Sequence, residues 1–200
     1  MAGAMRDLEI ALPAGDPRRE EALAVLQAGF GMEARVGSSA RAFMREVLLF
    51  SDDYIENVIS TVFLDDKPVD NIDLALLAEG SRLALSAAMP GLVGAIMRRG
   101  SPYASFREAI THRGEGLAGV DSPEAASSAA GSSEAARILV RVKIFNSVMR
   151  DRGPGVLARG IVLTPERAAE LCATLGVAAP QGLDSGADSL LRFRIVESPA

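Results

Sequence analysis

A stretch of small and acidic residues divides the chain and limits its fold more than any other feature of the sequence. Residues 114–136 contain 16 glycine, alanine or serine residues among 23, with four acidic side chains and no basic one. Such a segment buries too little apolar surface to offset the conformational entropy lost on ordering. It is predicted to be a linker, with a short alanine-rich helix from Pro123 onward as the alternative. The sequence therefore predicts two domains, residues 1–113 and 137–200.

The overall composition is that of a folded protein with its own core. Of the 200 residues 48% are hydrophobic, which suffices for a core without disulfides. The net charge of −5 and the aromatic content of 4% argue against a nucleic-acid-binding protein. A single cysteine, Cys172, and a first segment without signal-peptide character indicate a cytoplasmic location. The longest uncharged run, residues 83–97, is interrupted by Pro90 and too short to span a membrane, so no membrane association is expected.

The first domain combines strand and helix patterns. Leu8, Ile10 and Leu12 alternate with other residues and predict a strand, and Asp16 then caps a helix that ends at Gly29. Strands are predicted over residues 43–50, 58–64 and 82–88, with a possible short helix at 54–58 and tight turns at 65–66 and 79–80.

The second domain is predicted to be a small α/β unit. A strand over 138–145 leads into a short helix that breaks at residues 153–155, and a last strand covers 189–196. Between them Thr164 caps a helix that ends at Gly176. Arg167 stands three residues after Thr164, where a capping box would carry Glu.

Residues 61–94 resemble the C-terminal half of the β-grasp, ubiquitin-like sulfur carriers, the group that includes the small subunit of molybdopterin synthase. The matching parts are a strand at 61–64, a turn at 65–66, an excursion at 71–77, a turn at 79–80, a strand at 82–88, and Gly91 with Gly94. Those carriers end in a free, thiolated Gly-Gly, whereas this chain continues for another hundred residues. The resemblance therefore implies a β-grasp-like docking module and no sulfur transfer. The expected class is α+β, with a β-grasp-like N-terminal domain and a smaller α/β C-terminal part.

The uncharged segment around residues 90–97 has two interpretations. As a helix it is apolar on almost every side, which is typical of burial in a core or against a partner. The residues assigned to partner binding are Leu92, Val93, Ile96 and Met97. Alternatively the helix start forms an anion site with arginines at its far end. This second set comprises Ser86, Gly91, Leu92, Arg98 and Arg99.

No motif in the sequence indicates a cofactor or a metal. The G-x-G-x-x-G string at 114–119 lacks the preceding strand and following helix of a dinucleotide site. One histidine and one cysteine cannot assemble a zinc site without carboxylates, and the acids between 65 and 73 lack the EF-hand spacing. We expect no metal, and Cys172 is expected to be a buried structural thiol.

These observations favour a non-catalytic binding or assembly module over an enzyme. Its contacts would use the apolar helix at 90–97 and the acidic edge at 52–79, which holds eight acids against one base. The acidic edge is expected to face the basic C-terminal part or a basic partner, or to be a solvated loop. The expected partner is another protein or a second copy of the chain. The alternative is a small-molecule or anion-binding protein or enzyme that uses the helix start at 90–92 with arginines and carboxylates.

Overall fold

The computed structural model describes residues 5–112, 136–179 and 190–198. Its strands are β1 (Arg6–Leu12), β2 (Phe30–Arg35), β3 (Thr61–Leu64), β4 (Lys67–Pro68), β5 (Arg82–Ser86), β6 (Arg137–Ile144), β7 (Ile161–Leu163) and β8 (Leu191–Glu197). Its helices are α1 (Arg18–Ala22), α2 (Ala24–Ala28), α3 (Ala40–Glu46), α4 (Asp52–Asn57), α5 (Gly91–Met97), α6 (Asn146–Arg159), α7 (Pro165–Thr174) and a 3-10 helix (Ala104–Ile110). The predicted α+β class is confirmed.

The strands form one mixed sheet with the order β1-β8-β7-β2-β6-β5-β3-β4. Strand β1 runs parallel to β8, in a register that sets Arg6 opposite Leu191 and Leu12 opposite Glu197. Strand β7 is antiparallel to both β8 and β2, and β3 is antiparallel to β4. The first and last strands along the chain are therefore neighbours in the sheet.

The chain forms two compact units, each assembled from separate segments. One unit contains residues 1–32, 84–87 and 141–200, and the other contains residues 33–83 and 88–140. We call them the terminal unit and the central unit. Residues 114–135 of the predicted linker, with the G-x-G-x-x-G string, lie outside the described residues, so the predicted division into domains 1–113 and 137–200 stays a prediction.

In the terminal unit, helices pack against the sheet. Strand β8 alternates buried Leu191, Phe193 and Ile195 with partly exposed arginines, so its apolar face points to the helices. Helix α6 packs on β8, α7 packs on β7 and β8, and α1 packs on α7.

The central unit corrects one prediction, because residues 43–50 do not form a strand. Residues 43–46 lie in α3, whose first turn is capped by the Ser39 hydroxyl, which accepts a hydrogen bond from the Ala42 amide at 3.2 Å. The buried residues Ala40, Phe43 and Met44 follow helical spacing. The aromatic and β-branched content had favoured a strand, but the cap and the period of the buried residues belong to a helix.

A second correction concerns the predicted break at residues 153–155, because α6 continues to Arg159 with Pro154 inside it. Gly153 is buried, and a Cβ atom there would lie 2.6 Å from Leu23 Cδ2 and 2.9 Å from Leu26 Cδ1. The glycine therefore permits close packing of helices, and the helix ends instead at Gly160, whose φ is 104°.

Several other elements follow the sequence pattern closely, whereas β2, β4, β7 and the 3-10 helix were not predicted. Strands β1, β5, β6 and β8 and helix α7 are found within about two residues of their predicted bounds. The helix predicted to end at Gly29 is present as two short helices that meet at Leu23. Asp65 and Asp66, with φ of 50° and 66°, form the predicted turn between β3 and β4.

Candidate protein-binding surface

Helix α5 begins directly after Pro90 and is held close to the chain that precedes it. Gly94 is the buried residue of this helix, and a Cβ atom at this position would overlap the carbonyl group of Met89. Only glycine permits this approach, so the turn at Met89 and Pro90 determines which side of α5 faces inward.

The opposite side of α5 is uncovered. The side chain of Leu92 is 69% exposed and that of Val93 is 62% exposed, while Ile96 and Met97 are half-buried. The interpretation of this helix as part of the chain's own core is therefore wrong for Leu92 and Val93.

The 3-10 helix adds further exposed apolar side chains beside α5. Phe106 is 77% exposed, Tyr103 and Ile110 are about half exposed, and the rings of Tyr103 and Phe106 are 6.5 Å apart. The 3-10 helix packs against α5. We call Leu92, Val93, Tyr103, Phe106 and Ile110 the apolar surface. Sequence reasoning missed its second half, although the spacing of 103, 106 and 110 was a signal for an apolar helix face.

Arg107 is a buried residue of the 3-10 helix, and its hydrogen bonds connect this helix to neighbouring segments. Its side chain is buried, and its guanidinium donates to the Ile96 carbonyl at 2.7 Å, the Arg98 carbonyl at 3.0 Å and the Thr111 hydroxyl at 2.9 Å. Two further bonds, at 2.6 and 3.1 Å, reach the two carboxylate oxygens of Asp70. All five donors of this guanidinium are used, so Arg107 joins α5, the 3-10 helix and the loop at Asp70.

The same contacts change the ionisation of Asp70. Burial by itself would raise the pKa of this carboxyl group. Hydrogen bonds from Arg107 and from the Gly100 amide outweigh burial, so the pKa of Asp70 lies below its ordinary value.

The acidic edge at 52–79 already has arginine partners within the central unit. Arg41 is hydrogen-bonded to Glu56 and, at 2.6 Å, to Asp73, and Arg82 contacts Asp66 at 2.6 Å. Hydrogen bonding from Arg41 lowers the pKa of Glu56. Six acids of this edge make ion pairs of this kind: Asp52, Glu56, Asp65, Asp66, Asp70 and Asp73. The role predicted for the edge in facing a basic partner stays a prediction.

Ser86 and Arg99, two of the residues predicted to bind an anion, lie in different units, and each is hydrogen-bonded to a group of the protein. Ser86 belongs to the terminal unit, where its buried hydroxyl accepts a hydrogen bond from the Asn146 side chain at 2.8 Å. Arg99 belongs to the central unit and donates to the carbonyls of Ile55 at 2.9 Å and Ile59 at 3.2 Å.

Burial lowers the pKa of the Arg99 guanidinium, which forms an ion pair with Glu56 at 3.5 Å. Gly91, Leu92 and Arg98 are exposed at the two ends of α5, which has only seven residues.

Cys172 is buried, as predicted, and burial raises the pKa of its thiol. Within residues 5–112, 136–179 and 190–198, no three side chains of His, Cys, Asp or Glu are grouped so that they could hold a metal ion.

No helix in the described ranges combines the length and the apolar character needed to cross a membrane. Comparison of the chain with protein-family models, with curated proteins and with solved structures found no match.

Proposed function

We propose that this protein is a non-catalytic binding or assembly module that uses the apolar surface to contact a protein, either a partner or a second copy of the chain. The observation that carries the proposal is the exposure of five large apolar side chains, four of them on two helices that pack against each other and the fifth, Tyr103, directly before the second helix. Water contact with such side chains is unfavourable, and their burial at an interface contributes about 25 cal/mol for each Å² of apolar area.

The contacts that hold the two helices in place favour a preformed binding surface over a flexible loop. Arg107 uses all five guanidinium donors in hydrogen bonds that fix the position of the 3-10 helix. Gly94 permits the close approach of α5 to the Met89 carbonyl. A surface that is ordered before binding loses less conformational entropy when a partner arrives. The resemblance of residues 61–94 to β-grasp carriers agrees with a docking role, because Leu92 and Val93 of the apolar surface lie at the end of that segment.

The test replaces Phe106 with Ser and measures the sedimentation velocity of the protein over a wide concentration range. The same variant is compared with the original protein as bait for proteins captured under native conditions. We expect Phe106→Ser to abolish a self-associated species or one discrete captured protein, because the most exposed ring of the surface is lost.

The matched control is Leu74→Ser, which removes another apolar side chain that is 64% exposed and lies outside the apolar surface. This variant should behave as the original protein does. Identical association and capture by the original protein and both variants, with unchanged folding by circular dichroism, would contradict the proposal.

A further inference from the structure

Two cationic side chains meet over Gly29 in the terminal unit. A Cβ atom at Gly29 would lie 3.3 Å from Cε of Lys143 and 3.7 Å from Nη1 of Arg167. Both side chains therefore lie beside the same glycine, Lys143 with the carbon that carries its ammonium group and Arg167 with a guanidinium nitrogen, although Lys143 comes from strand β6 and Arg167 from helix α7. The missing side chain of Gly29 makes room for them.

Neither cation is neutralised by an acid in the part of the chain that the structure describes. The only hydrogen bond recorded there for Arg167 goes from Nη1 to the carbonyl oxygen of Gly29. This leaves the other guanidinium N–H groups for a further acceptor, because arginine carries five donors. Lys143 is exposed on the outward side of β6, where its ammonium group has three donors.

The position of Arg167 along its helix is itself unfavourable. Arg167 lies in the first turn of α7, where the helix dipole disfavours a cation. Hydrogen bonds from its own backbone amide and from the Thr164 hydroxyl lower the pKa of Glu166, the one acid in that turn, so this carboxylate is engaged at the helix end. Arg167 therefore adds its positive charge beside Gly29 to that of the helix N-terminus.

We propose that Lys143 and Arg167 form a binding site for an oxyanion, a phosphate or carboxylate group of a small molecule. Two oxygens of such a group match the two cations, with the guanidinium as a planar donor and the ammonium as a point charge. This site differs from the anion site expected at Ser86 to Arg99, and it is independent of the apolar surface.

The test uses inorganic phosphate and acetate as separate probes, each titrated at constant ionic strength by exchange with sodium chloride. The thermal unfolding midpoint is followed by circular dichroism, because a ligand that binds only the folded state raises it. We expect stabilisation by at least one of the two anions beyond chloride. Stabilisation by phosphate alone or by acetate alone assigns the site to that group.

Lys143→Met should weaken binding of the active anion by about ten-fold, the value of one charged hydrogen bond, and Lys143→Arg should retain it. Arg141→Met is the matched control, since it removes one cation from the same strand and the same outward side, two residues away. The proposal is overturned if neither anion stabilises the protein beyond chloride, or if Lys143→Met and Arg141→Met change the affinity equally.

Discussion

Arginine side chains of this protein connect backbone segments as much as they pair with acids. Arg18 donates to the Leu175 carbonyl at 2.9 Å, Arg99 to the carbonyls of Ile55 and Ile59, and Arg107 to those of Ile96 and Arg98. Carbonyl groups at the ends of helices lack a partner within the helix, and a long cation can satisfy them. Several residues that contribute to the charge pattern of the sequence are therefore structural connectors.

Arg107 is the residue of this kind whose loss should be most costly. Arg107→Met removes five hydrogen bonds and leaves Asp70 without its cation, so we expect the free energy of unfolding to fall by about 3 kcal/mol. Urea denaturation followed by circular dichroism measures this change.

The control for this prediction is Arg82→Met, which breaks an exposed ion pair with Asp66 and should cost less than about 1 kcal/mol. Equal losses in the two variants would show that the buried contacts of Arg107 do not stabilise the fold.

The lowered pKa of Asp70 makes part of the stability depend on pH. Because the pKa is lower in the folded state than in the unfolded chain, ionised Asp70 stabilises the fold above the ordinary aspartate pKa of about 4. This contribution is lost as the pH falls through the folded-state pKa. We expect Asp70→Asn to be less stable than the original protein at pH 6, and the difference to shrink progressively below pH 4. Urea titrations at several pH values measure it, and a constant difference would contradict the assignment.

Among the secondary structure elements, the two corrected predictions have one cause. The sequence signals for residues 43–50 and 153–155 were local: aromatic and β-branched content in one, glycine and proline in the other. In the structure, α3 is determined by its Ser39 cap and by burial of one face, and α6 continues through Pro154 because Gly153 packs against Leu23 and Leu26. Tertiary packing outweighs propensity at both places.

The two glycines of α6 give an internal comparison for this argument. A Cβ atom at Gly155 would meet nothing within 4 Å, so Gly155→Ala should raise the free energy of unfolding by about 0.5–1 kcal/mol through helix propensity. Gly153→Ala should be less stable than Gly155→Ala by at least about 1 kcal/mol, because its methyl group crowds two buried leucines. Urea denaturation of the two variants tests the difference. Equal stability would mean that the leucines adjust without cost.

For the whole molecule, the decisive feature is the parallel pairing of β1 with β8. Ile10 lies opposite Ile195 in this register, and both side chains are buried. Strand β1 is the outermost strand of the sheet, so within the described residues β8 is its one neighbouring strand. The segments that complete the terminal unit are therefore separated by nearly the full length of the chain.

This pairing predicts that β1 loses protection when β8 is destabilised. Phe193→Ala removes a fully buried ring from β8 and should cost about 3–5 kcal/mol. Hydrogen exchange should then rise in the amides of β1 together with those of β8. Phe106→Ala, at an exposed position, should leave exchange in both strands unchanged. If the amides of β8 exchanged faster in Phe193→Ala while those of β1 stayed protected from exchange, the result would contradict the pairing.

The sequence alone determined the α+β class, most strands, helix α7 and the turn at Asp65 and Asp66, because alternation, caps and left-handed turn residues act over a few neighbouring positions. It also indicated α5 as an unusual apolar helix. Only the tertiary structure decided that Leu92 and Val93 remain exposed, that Phe106 joins them, and that Arg107 binds Asp70 across 37 positions of sequence. It alone brought Lys143 and Arg167 together at Gly29. The physical reason is that burial and convergence depend on contacts between distant segments, which local periodicity does not encode.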